Sequence, residues 1–367
     1  MQVPYDALLF VSFGGPERPE DVIPFLENVT RGRGIPRERL ESVAEHYHHF
    51  GGKSPLNEQN RALIASVREE LAARGVTLPI YFGNRNWAPM LADAVADMKR
   101  DGVRRALAFI TSAYSSYSGC RQYLGDIDQA RAAVPDAPPI DALRRFFNHP
   151  GFLEACTDRV RAAYAELGAQ IGESERAKAR IVFTAHSIPS SMAASSDYEK
   201  QLRANAALIA ERLGHAGWDL VWQSRSGPPT VPWLEPDILD HLRALHAKGV
   251  AGVVIAPIGF LSDHVEVLYD LDEEARELCR ELGVPMARAA TVGTHPAFVQ
   301  TIADLVLERL RGLPARSIGP LPACPHVCAP GCCPRPERPA APPRGGALGG
   351  PSTAGGSPAG SSSGRPD

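Results

Sequence analysis

Short apolar runs rich in β-branched and aromatic residues alternate along this chain with longer stretches in which apolar positions recur every three or four residues. The first kind of run reads as a strand buried on both faces, the second as a crossover helix, and their alternation describes a parallel sheet flanked by helices. Strands are predicted over 6–12, 78–82, 105–111, 180–185, 219–223, 249–256 and 286–291. Helices are predicted over 19–28, 58–74, 88–101, 121–133, 150–167, 198–213, 236–248, 265–282 and 296–311. An internal echo runs through the pattern: Leu8-Leu-Phe-Val-Ser-Phe-Gly-Gly-Pro16 is similar to Ile181-Val-Phe-Thr-Ala-His-Ser-Ile-Pro189, and the run from Arg105 is similar to that from Gly252. The expectation is an α/β fold of two similar Rossmann-like domains, residues 1–167 and 168–312, joined through the polar stretch that begins at Gly168. A cysteine-rich segment, 313–333, follows. Residues 334–367 are Pro, Gly, Ser and Ala with almost no large apolar side chain, a composition that cannot offset ordering entropy, so a disordered tail is expected there.

With 367 residues, 44% of them hydrophobic, the chain can bury one large core or two modest ones. Its formal charge of −3, with Lys and Arg scattered, provides none of the basic field that a phosphate backbone needs, so nucleic acid is not expected as a partner. No apolar run approaches the roughly 18 residues of a membrane span. The start of the chain also lacks the basic and apolar regions of a secretory signal, so a cytoplasmic location is expected.

Open α/β sheets present functional residues at the carboxyl ends of their strands, and three such ends here are polar. After the run ending at Ala185 comes His186, followed by Ser-Ile-Pro189. It could be a capping or core histidine, or a base, since an imidazole with a pKa of about 6.5 accepts a proton near neutrality. In the second, Ser262-Asp-His-Val-Glu266 opens a helix on which Glu266, Asp270 and Glu274 fall four apart, placing three carboxylates along one face. That row is either an acidic helix start favoured by the macrodipole or a track for a divalent cation or protons. The third is the Ser12-Phe-Gly-Gly-Pro16 turn, where neither the dinucleotide fingerprint nor a phosphate-binding loop is completed.

Seven cysteines are present, and four crowd into Cys324-Pro-His-Val-Cys328-Ala-Pro-Gly-Cys332-Cys333. Without an export signal such a cluster reads as an iron–sulphur or zinc site, His326 being a further candidate ligand for zinc. Cys120 and Cys279 are expected to be ordinary buried thiols.

Taken together, Phe183-Thr-Ala-His-Ser-Ile-Pro189, Trp222-Gln-Ser-Arg225, Val231-Pro-Trp-Leu-Glu-Pro236 and Ser262-Asp-His-Val-Glu266 with Leu268-Tyr-Asp270 resemble the ferrochelatase family, from about residue 5 to 312. The resemblance implies a chelatase-like fold with the active-site cleft between the two domains, and insertion of Fe²⁺ into a porphyrin. It implies that His186 and Glu266 are the iron-side catalytic pair, that Asp270 and Glu274 continue a metal or proton relay, and that Phe13, Arg31, Ser54 and Tyr123 contact porphyrin. Arg31 or Arg33 and the Ser54 and Tyr123 hydroxyls would hold propionates, and Trp87 and Trp233 would help line the cleft. At the position where some relatives carry a tyrosine able to ligate iron this chain has Phe13, which cannot.

The resemblance further implies a [2Fe–2S] cofactor held by Cys156 and three of Cys324, Cys328, Cys332 and Cys333. Adjacent cysteines rarely both reach one cluster, so Cys324 and Cys328 with either Cys332 or Cys333 are the expected trio. Lineage analogy points to coproporphyrin III as substrate rather than protoporphyrin IX. A related cobalt or nickel chelatase and a non-enzymatic haem carrier are the rival readings. A monomer or weak dimer is expected, with transfer of product to the next haem-pathway enzyme.

Overall fold

A computed structural model of the chain describes residues 5–336. The expected disordered tail therefore falls, from residue 337 onward, outside the described residues. Eight strands form two separate four-stranded parallel sheets. The first contains β1 (Ala7–Ser12), β2 (Ile80–Asn84), β3 (Ala106–Ile110) and β4 (Ile140–Ala142); the second contains β5 (Arg180–His186), β6 (Trp218–Gln223), β7 (Val253–Ala256) and β8 (Met286–Arg288). Their strand orders are the same, β2-β1-β3-β4 and β6-β5-β7-β8. The registers also correspond pair for pair. Leu8 lies opposite Ile80 as Ile181 lies opposite Trp218, and Ala106 opposite Ile140 as Val253 lies opposite Met286. In this correspondence Phe13, just past β1, is the counterpart of His186 at the end of β5.

The ends of the predicted strands lie within four residues of those observed, except that β4 is absent from the sequence reading. It is a three-residue edge strand behind Pro138-Pro139, too short to show a period. The helix Arg37–His49 is also absent from that reading, because only Leu40, Ala44 and Tyr47 of its residues are buried and the rest is strongly polar. The predicted 265–282 helix is composite: a short turn at Val265–Val267, a π-helix at Leu268–Ala275, then α-helix over Arg276–Glu281.

The two halves exchange helices. Pro150–Ile171, which follows the first sheet, packs on β7 and β8 of the second, while Pro296–Arg311, which follows the second sheet, packs on Leu56–Ala73 of the first half. The exchanged helices also pack on each other and share one apolar core that includes Phe109, Phe146, Phe152, Phe183 and Phe298. They approach closely at Gly151, where a β-carbon would meet the Ala297 carbonyl oxygen at 2.6 Å. Each begins with His-Pro, and each histidine caps its own helix, His149 accepting from the Gly151 N–H and His295 from the Ala297 N–H, both at 3.2 Å. Each then faces an aspartate on the other helix: His149 Nε2 is 3.4 Å from Asp304 Oδ2, and His295 Nε2 is 3.4 Å from Asp158 Oδ2. Asp158 follows His149 at the same spacing as Asp304 follows His295, so the clasp repeats the two-fold relation of the sheets. Beside it, Arg144 and Glu308 form an ion pair with side chains 0% and 2% exposed, joining the end of the first sheet to the final helix.

Replacing His149 or His295 by Ala removes a helix cap and half of one clasp, and each should cost about 1 kcal/mol in urea unfolding. His149 should cost more, because its side chain is 1% exposed against 17% for His295. Equal and negligible losses would show that the clasp contributes nothing to holding the halves together.

Candidate active site

β5 carries a buried run, Ile181 to Ala185, and delivers His186 at its carboxyl end. The imidazole Nδ1 lies against the Ser187 carbonyl oxygen at 2.5 Å. A carbonyl only accepts, so Nδ1 carries the proton and Nε2 is left with its lone pair. The Tyr198 hydroxyl donates to the His186 carbonyl at 3.0 Å and fixes the backbone there. Glu266 reaches the same point from the loop after β7. That loop passes so close to β5 that a β-carbon on Gly259 would lie 2.5 Å from Cβ of Ala185, and the Gly259 N–H donates to the Thr184 carbonyl at 3.1 Å. The loop then enters the turn at Val265, and Glu266 Oε2 sits 3.5 Å from His186 Nε2.

Asp270 and Glu274 continue from Glu266 along the π-helix, a widened turn that recurs at functional sites. The Gln223 amide donates to Asp270 Oδ2 at 3.1 Å, and the Ser224 hydroxyl donates to the same oxygen. Ser224 lies just past β6 in the left-handed region, φ +58°, uncommon for a residue other than glycine. Burial pushes the Asp270 carboxyl up to about 7, with the charges of Glu266 and Glu274 adding to the rise and the two hydrogen bonds opposing it. Burial also raises Glu274, assisted by Asp237. His264 is lowered by burial and by His186, with Glu266 opposing. On another side of the segment Arg288 pairs with Asp263 at 3.1 Å and Asp272 at 2.8 Å, which anchors it to the sheet.

Residues of the first half face this row. Tyr47 is buried close enough to Glu266 that the carboxylate adds to the rise that burial gives its hydroxyl. The His46 ring stacks on Tyr269 with centroids 3.7 Å apart, and His49 Nε2 lies 3.2 Å from Glu273 Oε1. The Gln59 side chain accepts from the Asp263 N–H at 2.9 Å. None of these residues stood out in the sequence, although the run His46-Tyr-His-His49 was a signal that could have been read. Phe13 is 39% exposed at the end of β1 and packs edge-on against Phe25. The Arg85 guanidinium sits 5.8 Å from the Phe13 ring centroid and 4.6 Å from that of Tyr123, and it pairs with Asp126. Arg85 was also missed, though it immediately follows β2.

Not every expected porphyrin contact lies open. Tyr123 is buried beneath Arg85, whose guanidinium lies over its ring. Ser54 is buried too, its N–H donating to the Pro16 carbonyl at 2.8 Å and its hydroxyl accepting from the Leu56 N–H at 3.4 Å. Trp87 is held by an indole N–H bond to Asp21 at 3.2 Å. Arg31 and Arg33 are exposed after the helix Val22–Val29, as a propionate contact requires.

The Ferrochelatase family model matches residues 5–310. The chain belongs to the ferrochelatase family. It is 55% identical to the ferrochelatase of Rhodopirellula baltica, over 90% of this chain and 93% of that protein. It is 54% identical to the coproporphyrin III ferrochelatase of Nocardia farcinica, over 92% of this chain and 98% of that one. The protein of the same description from Streptomyces coelicolor is 53% identical, over 92% of this chain and 96% of its own. Among solved structures, the cobalt complex of the sirohydrochlorin chelatase SirB from Bacillus subtilis subspecies spizizenii covers 84% of this chain and 97% of its own, with a TM-score of 0.51 at 10% identity. That likeness is one of fold.

Of the seven cysteines of this ferrochelatase-family chain, Cys279 is buried in the apolar core of the second half, and the other six differ in surroundings. Cys156 is buried in the helix Pro150–Ile171 and lines a small cavity with Arg159, Ala256, Ile258, Phe260 and Thr291. Burial pushes its thiol up to about 12. Around Cys120 the arrangement differs. Cys332 Sγ lies 3.7 Å from Cys333 Sγ, with Cys120 near Cys333 and Cys328 near Cys332. Cys324 Sγ is 3.8 Å from Ser115 Oγ and close enough to Cys120 to feel its charge. Cys120 is buried as expected, but its thiol is pulled below the usual thiol range by the neighbouring Cys333 and by Arg145, whose Nε donates to the sulphur at 3.1 Å. Among the described residues no three His, Cys, Asp or Glu side chains surround one point ready to hold a metal ion. The sulphurs form a chain, and thiols are the donor set that iron–sulphur chemistry requires.

Asp270 binds its proton more tightly folded than unfolded, so its contribution to stability is complete below pH of about 4 and is lost as pH rises through about 7. Asp270→Asn, neutral throughout, should therefore raise the melting temperature relative to the parent at pH 8 and leave it nearly unchanged at pH 4. A difference that does not grow with pH would show that Asp270 is ionised without penalty.

Proposed function

We propose that this chain inserts Fe²⁺ into coproporphyrin III to give Fe-coproporphyrin, with His186 and Glu266 at the pyrrole nitrogens. The observation that carries the reading is the bare Nε2 of His186 set 3.5 Å from the Glu266 carboxylate at the head of an acidic row. Metalation requires two pyrrole N–H protons to leave as a desolvated ferrous ion enters the macrocycle. His186 Nε2 accepts one pyrrole proton and passes it through the Glu266 carboxylate to the acidic row, which frees the imidazole to accept the second. Imidazole and carboxylate are ligands acceptable to ferrous iron, without the strong hold of thiolates. Asp270 changes charge near neutrality, so together with Glu274 it can pass protons or the incoming cation along the row. Phe13 offers an apolar face to the macrocycle, and Arg31 or Arg33 offers a cation to a propionate.

The choice of coproporphyrin III is supported by the names of the actinobacterial relatives. A [2Fe–2S] cluster on the C-terminal cysteines belongs to the same reading. Chelation changes no oxidation state, so such a cluster supplies structure or redox sensing there. Among the described residues no helix is long and apolar enough to cross a membrane, which fits the proposed place in the cytoplasm, as a monomer or weak dimer handing its product to the next haem-pathway enzyme.

An anaerobic Fe²⁺-insertion assay tests the reading. His186→Ala and Glu266→Gln should each lower the rate by at least about 100-fold, with coproporphyrin III preferred over protoporphyrin IX by the parent. Unchanged rates in both variants would remove the mechanism. A preference for the dicarboxylate would reassign the substrate to protoporphyrin IX.

A further inference from the structure

We infer that Gln201 is a positioning residue for the proposed metalation: it ties the helix Tyr198–Arg212 to the first half of the chain and, through Tyr198, holds the base His186 at a set distance from it. The inference rests on the reaction proposed above and concerns what fixes the spacing between base and macrocycle. That spacing has to be built across the two halves, because Phe13 follows β1 of the first sheet and His186 ends β5 of the second. The helix follows β5, and Tyr198, Gln201, Asn205 and Leu208, three or four residues apart, form one stripe along it. At the head of the stripe the buried Tyr198 hydroxyl donates to the His186 carbonyl at 3.0 Å, and its ring stacks on Trp222 of β6 with centroids 6.0 Å apart. One turn on, Gln201, 3% exposed, crosses to the first half. Its Oε1 accepts from the Ser115 N–H at 2.8 Å, and its amide donates to Ser115 Oγ at 3.0 Å.

Further along the stripe the Asn205 amide donates to the Tyr114 hydroxyl at 3.0 Å and to the Phe147 carbonyl at 2.6 Å, both again in the first half. The C-terminal segment closes over the same stripe: a β-carbon on Gly319 would lie 2.6 Å from Leu208 Cδ1, and the Gln201 amide faces Cys324 Sγ at 3.7 Å. Gln201 is the first of these cross-links after Tyr198, so it governs how the His186 end of the helix sits on the first half. Both ends of its amide are engaged, and an apolar replacement leaves the Ser115 N–H without that acceptor. The bridge is neutral and does not touch the macrocycle, so its contribution is geometric. Proton transfer depends steeply on the placement of the base, whereas burial of a flat ring against the first half does not. Loss of the bridge is therefore expressed in turnover and not in porphyrin binding.

The test is steady-state Fe²⁺ insertion into coproporphyrin III by the full chain under anaerobic conditions, with the melting temperature of each variant measured alongside. Gln201→Ala should lower kcat by about 10-fold or more while KM for the porphyrin changes by less than about 2-fold. Tyr198→Phe, which removes only the hydroxyl, should lower kcat in the same way. Because the two side chains act through one path, the double variant should be no slower than the slower single variant. If Gln201→Ala does not accumulate, Gln201→Asn, whose amide falls one methylene short of Ser115, carries the same expectation. An unchanged kcat in the Gln201 variant, whatever its melting temperature, would overturn the inference and leave the proposed reaction standing. So would a rise in KM that accounts for the loss, or a double variant in which the two losses multiply. A parent chain that metalates no porphyrin would overturn the reading of the reaction itself.

Discussion

The close passage of the β7 loop over the end of β5 is the constraint on which the site depends. Without a side chain at Gly259, the loop backbone rests on Ala185 and its N–H takes the Thr184 carbonyl. From that contact the chain has only one short turn to make before Glu266 faces His186. The same contact starts the π-helix at a depth where Asp270 meets Gln223 and Ser224 from the end of β6. Three strand ends of one sheet therefore converge on a single acidic row, the usual consequence of a parallel sheet whose carboxyl ends all open on one side.

A repeated topology supplies the frame, and the two halves differ in what they offer at equivalent places. Phe13 occupies in the first half the place that His186 occupies in the second. One half presents an aromatic face and guanidinium groups at its strand ends; the other presents an imidazole and carboxylates. That division matches the two parts of the proposed reaction, gripping a flat apolar ring with an anionic rim and exchanging its protons for a cation. The reciprocal clasp of His149 with Asp304 and His295 with Asp158 holds the exchanged helices together.

Electrostatics along the row follow from burial. Asp270 sits deep enough that losing its proton is opposed both by desolvation and by its carboxylate neighbours, and only two neutral donors stabilise its anion. Arg288, which anchors the same segment, is committed to Asp263 and Asp272. A carboxyl left poised near neutrality suits a path that must take up and release charge.

Buried strands and amphipathic helices depend on composition within a few neighbouring residues, so both sheets, the echo between β1 and β5, and the longer helices were legible in the sequence. That His186 and Glu266 face each other was legible too, because the long motifs around them resemble one family. The residues that only tertiary structure could reveal are those whose partners lie far along the chain. Tyr123 carries a hydroxyl suited to a propionate, yet the fold covers it with Arg85 from another strand end. Cys156 and Cys120 are both single internal cysteines in sequence, and which of them lies beside the C-terminal cysteines is decided by the turn at Tyr117–Arg121, where Arg121 holds the Cys332 and Ala329 carbonyls. Local pattern determines what each segment becomes. Packing determines which side chains share a point in space, since that depends on how two sheets and their exchanged helices close around one core.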